Sequence, residues 1–88
     1  MSYCIINCTV ESKKSAVEIA KVLVQKKLIA CCSIIPSVVS IYEWKGELNQ
    51  DNEVLMIMKT ETELFGLIEK EIKKMHSYEL PEIICIPI

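Results

Sequence analysis

Arginine is absent from this 88-residue chain, and all ten basic residues are lysine. Without guanidinium groups the bidentate contacts that read bases and grip phosphates are missing, so nucleic acid is not expected as a partner. The lysines scatter, apart from Lys13-Lys14, Lys26-Lys27 and Lys73-Lys74, which sit near helix ends and read as solvated faces. Glycine is scarce: Gly46 and Gly66 stand far apart and build no phosphate loop or dinucleotide fingerprint. There is one histidine, His76, and one aspartate, Asp51, and no G-x-S-x-G elbow. A Ser-His-Asp triad is therefore not expected, and no enzymatic function is assigned. No apolar run reaches eighteen residues, which disfavours a membrane span. The opening MSYCIINCTV has no basic region before its apolar run and reads as a strand, so a cytoplasmic location is expected.

Five cysteines, Cys4, Cys8, Cys31, Cys32 and Cys85, show no C-x-x-C spacing, and each lies in an apolar run. The plain reading is small, reduced core residues. What the chain has in excess is apolar character, 51% of residues. That is more than one small core usually needs and points to a second buried surface.

Residues 2–9 predict a strand buried on both faces. Ser12 is a plausible N-cap, followed by a helical stripe of Ala16, Ile19, Ala20, Leu23 and Lys27. The chain turns β from Leu28 to Trp44, with Pro36 marking a bulge, bend or edge because it has no N–H to donate. Lys45-Gly46 is the best turn and Asn49–Asn52 a second break, before a strand from Glu53 to Thr60. Thr60 and Glu63 have capping-box spacing. Leu64, Leu67, Ile68, Glu71, Ile72 and Met75 stripe a second helix ending near His76-Ser77, and Leu80 to Ile88 predicts a last strand.

The order βαββαβ predicts one α+β domain over residues 1–88, an antiparallel sheet with both helices on one face. The strands carry apolar residues on both faces, yet two helices cover only one. The most economical cover for the other face is a second copy of the chain.

Three places carry candidate chemistry. His76 ends the second helix, where the macrodipole favours it, and it is equally a metal ligand or proton carrier. Cys8 closes the first strand as a core residue or a soft-metal ligand; with His76 it would suit copper or zinc. Tyr42, Trp44 and Lys59 surround the hairpin as a small-anion cleft, an interface or core.

The runs Leu28–Pro36, Ser40–Glu47, Glu53-Val54, Lys59-Thr60 and His76–Ile83 resemble the CutA divalent-cation tolerance family along essentially the whole chain. The S-x-Y-x-W-x-G and H-x-Y-E-x-P-E-I blocks are the specific part. The resemblance implies a ferredoxin-like fold, a homotrimer, and a cytoplasmic role in tolerance of copper or another divalent metal ion without catalysis. It places copper ligands at Cys8 and His76, with Met75 and Cys31 as accessories; Met75 stands where relatives have a further histidine, and Ser77 where they have proline. Relatives also continue past Ile88 with a strand and helix; the resemblance leaves open whether that segment is trimmed here or absent from this member. By analogy of fold with nitrogen-regulatory signalling proteins, the alternatives are a ligand-sensing trimer with clefts between protomers, or a trimerising module that binds another protein.

Overall fold

The computed structural model describes residues 2–88. Strand β1 (Tyr3–Val10) leads to helix α1 (Lys13–Gln25), a long hairpin of β2 (Cys31–Trp44) and β3 (Glu47–Glu61), a short 3-10 turn (Thr62–Leu64), helix α2 (Phe65–Met75) and strand β4 (Ile83–Pro87). The strands form one antiparallel sheet in the order β2-β3-β1-β4. This is the expected α+β, ferredoxin-like arrangement.

The local signals explain most boundaries. Ser12 Oγ accepts from the Ser15 N–H at 3.1 Å and starts α1. The helix ends in a Schellman pair: Leu28 N–H donates to Leu23 O at 2.9 Å and Lys27 N–H to Val24 O at 3.0 Å. Lys27 occupies the left-handed position with φ 60°, where glycine is usual. In the hairpin, Lys45 (φ 51°) and Gly46 (φ 81°) make the turn between two strands. The ladder register shifts between Ile35 and Val38, the bulge that Pro36 requires.

One face of the sheet is dry. Cys4, Ile6, Cys8 and Val10 on β1 and Val54, Met56 and Met58 on β3 pack with Ala16, Ile19, Leu23, Ile68 and Ile72 from the helices. Each fully buried Ile or Leu contributes about 1.5–3 kcal/mol relative to exposure. Lys26 on the first helix end reaches Glu71 on α2 at 3.0 Å and ties the helices across their exposed side.

Several expectations need correction. β1 is not buried on both faces: its residues alternate, with Tyr3 exposed and Ile5, Asn7 and Thr9 half-buried. β3 starts at Glu47, not Glu53, because Leu48 to Asp51 pair across to Glu43 to Ser40. Polar residues 49–52 therefore stay extended. Thr60 is no helix cap: it is the last fully strand-paired threonine, and its hydroxyl donates to Leu28 O at 2.5 Å. β4 is shorter than expected, with Leu80 to Glu82 in the loop before it.

The far face of the sheet is left open. Ile35, Ile84 and Ile86 are 39%, 45% and 42% exposed. β1 pairs with β3 only as far as Val54, so the hairpin beyond it projects as an arm carrying exposed Val39, Ile41 and Leu48.

Candidate functional site

Where β1 stops, a cleft of about 590 Å³ opens between the arm and the loop joining α2 to β4. β2 supplies Tyr42 and Trp44, β3 supplies Asp51 and Glu53, and the loop supplies Tyr78, Glu79 and Glu82. Four carboxylates and no lysine line it. Such a wall raises the local concentration of cations and repels anions.

Glu53 is only 9% exposed and accepts a 2.7 Å hydrogen bond from the Tyr78 hydroxyl. Burial, and then this bond, push the Tyr78 phenol up, so it remains a donor. The Tyr42 hydroxyl donates to Asp51 in the same way, but in the open.

Thr9 joins the cleft to the two residues singled out by sequence. Its carbonyl oxygen lies 2.7 Å from His76 Nε2 and 3.7 Å from Cys8 Sγ. A carbonyl only accepts, so Nε2 carries the proton. The other ring nitrogen, Nδ1, accepts from the Tyr78 N–H at 3.0 Å. His76 is thus held as the neutral Nε2–H tautomer, with the Tyr78 ring tilted against it at 4.6 Å. The Cys8 thiol is fully buried on the helix side of the sheet. Burial first, then the charges of Glu82, Cys32 and Glu53, push it up to about 12.

Cys8 and His76 are therefore brought together on one oxygen, although they are distant in the chain. Met75 packs against the core one residue before His76. Cys31 is exposed at the start of β2, opposite Lys59. Lys59 lies at the body end of β3, whereas Tyr42 faces Asn49 on the arm. The expected grouping of Tyr42, Trp44 and Lys59 is thus not made within one chain: ten residues of strand, about 33 Å, separate Lys59 from the level of Tyr42. Among the described residues, no group of three or more His, Cys, Asp and Glu side chains is gathered for a metal.

The residues missed by sequence reasoning are Thr9, Asp51, Glu53 and Tyr78. An acid directly ahead of the apolar run Val54–Met58 was the available signal for Glu53. Nothing local marks Thr9, which matters through its backbone.

The family described as CutA1 divalent ion tolerance protein matches residues 4–88. Mouse Protein CutA is 42% identical over 80 residues, covering 91% of this chain, which spans only 45% of the mouse protein's length. The divalent-cation tolerance protein CutA of Thermus thermophilus is 42% identical over 84 residues, covering 96% of this chain and 82% of its own. The solved Thermus structure superposes with a TM-score of 0.95, covering 98% of this chain and 84% of that one. A structure named as the periplasmic divalent cation tolerance protein CutA of Archaeoglobus fulgidus matches with 41% identity and a TM-score of 0.95, covering 98% and 83%.

Proposed function

The chain belongs to the CutA1 divalent ion tolerance family, and from that membership we propose that it acts in metal tolerance as a non-enzymatic, copper-binding homotrimer of the cytoplasm. The observation that carries the metal reading is the convergence of the Cys8 thiol and the His76 ring on the carbonyl of Thr9, a residue that borders an acid-lined cleft. Cys8 and His76 would hold the ion, with Met75 as an accessory. Cys31, exposed on an edge strand, would serve only an ion held between copies.

The donor set fits a soft ion. Burial pushes the Cys8 thiol up to about 12, so it holds its proton at pH 7 and an ion must compete with that proton for the sulfur. A soft, thiophilic ion would do so better than a hard one, which favours copper over hard divalent cations. His76 must also release the Nε2 proton and move it to Nδ1, which breaks the bond from Tyr78 N–H. Occupancy is thereby coupled to the loop that carries Tyr78, Glu79 and Glu82.

Self-association is supported by the open sheet face and by the apolar arm, which water contacts in the single chain. Five free thiols suit a reducing compartment. A second reading, ligand sensing in the cleft, keeps Tyr42 and Trp44 but favours a cation over an anion, because carboxylates replace Lys59 there.

The test is a Cu(I) titration of the reduced protein against a competing chelator, with mass in solution recorded. Cys8→Ser and His76→Ala should each weaken binding at least tenfold, about 1.4 kcal/mol. Equal affinity in all three proteins would reduce both residues to packing, and a stable monomer at micromolar concentration would end the trimer reading.

A further inference from the structure

The dry face of the sheet is rich in sulfur: Cys4 and Cys8 on β1, Cys32 on β2, Met56 and Met58 on β3, and Cys85 on β4 all belong to the core layer. The reading above uses Cys8 alone. Cys4 and Cys85 form a separate pair at the other end of β1. The β1–β4 register sets Ile6 opposite Cys85 and Cys4 opposite Pro87. Residues two apart on a strand share a face, so the two thiols are diagonal neighbours on the helix side. Cys4 stands close enough to push the Cys85 thiol up. Thr60, which faces Cys4 from β3, is engaged elsewhere, through its bond to Leu28 O.

We propose that Cys4 and Cys85 form a second metal site, a two-coordinate dithiolate for a soft monovalent ion such as Cu(I), separate from Cys8 and His76. Three features support it. Thiolate donors select Cu(I) over harder ions. Cys4 is fully buried and Cys85 half-buried, so water is a poor competitor at the inner sulfur while the outer one gives access. With metal–sulfur bonds of about 2.3 Å, the zinc–thiolate length, two sulfurs on opposite sides of an ion stand about 4.6 Å apart, within reach of diagonal neighbours on paired strands. β4 is an edge strand of five residues paired only with β1, so it can yield that distance and open for entry. The exchange balances without oxidant: two S–H protons leave and one cation enters, giving a dithiolate complex of charge −1.

The proposal stands or falls independently of the Cys8–His76 reading. The experiment uses the whole reduced chain under anaerobic conditions, with Cu(I) delivered from a competing chelator. The double variant Cys8→Ser/His76→Ala is expected to retain one Cu(I) per chain, with an X-ray absorption spectrum of two sulfurs and no nitrogen. Adding Cys85→Ser should remove that ion, with at least a tenfold loss of affinity. Cys85 is the variant of choice because it is half-buried, and circular dichroism would verify the fold. Three results would overturn the proposal: no copper in the double variant, copper that survives Cys85→Ser, or copper lost through Cys32→Ser but not Cys85→Ser.

Discussion

Two tyrosine–carboxylate pairs of identical chemistry stand in different surroundings, and their difference in energy is a direct test of how the cleft is built. Tyr78 donates to Glu53, a side chain 9% exposed. Tyr42 donates to Asp51, and both are exposed. Replacing Tyr78 by Phe removes only the hydroxyl and leaves the buried Glu53 carboxyl without that donor. A hydrogen bond to a charged group contributes about 1.5–3 kcal/mol, and the lost partner leaves a desolvated acceptor. Tyr78 is itself only half-buried, so water recovers part of the loss, and about 1.5 kcal/mol is expected. Tyr42→Phe faces water on both sides and should change stability by less than about 0.5 kcal/mol. For a domain of this size the first variant lowers Tm by roughly 6 °C or more, while the second falls within about 4 °C. The assay is urea unfolding and thermal melting of both variants at one protein concentration, since association shifts apparent stability. Equal effects, or a larger effect at Tyr42, would refute the claim that burial at Glu53 sets the energy of the cleft.

Lys27→Gly should stabilise the protein by about 1 kcal/mol in urea unfolding, because φ 60° strains a residue with a Cβ and the Schellman bonds of α1 remain. Ser12→Ala should lose about 1 kcal/mol in the same assay, since the Ser15 N–H loses its acceptor. Cys8 is raised in the folded state from 9.0 to about 12, so its burial supports folding fully below pH 9 and loses that contribution as pH climbs toward 12. Cys8→Ala should therefore flatten the fall in stability over pH 9–12, measured by chemical denaturation; an unchanged slope would show that this thiol is not the group responsible.

What was legible in the sequence is what short-range chemistry decides. Ser12 caps α1 because its hydroxyl lies within reach of the next turn. Pro36 forces a bulge because it has no N–H wherever it sits. Ile19 and Leu23, and likewise Ile68 and Ile72, announce their helices because spacing alone puts them on one face. Even the second apolar surface could be read, since hydrophobic content exceeds what two helices can cover. The tertiary structure decided the rest. Thr60 and Glu63 carry the spacing of a cap, yet a hydrogen bond to Leu28, 32 residues away in sequence, wins over the local one. Residues 49–52 look like a turn and are strand, because pairing with β2 satisfies their backbone. Lys59 parted from Tyr42, and Cys8 met His76, for one reason: register between strands sets which residues share a level, and register is a long-range property. The meeting point, the carbonyl of Thr9, belongs to the backbone, which every residue possesses alike and no residue type can advertise.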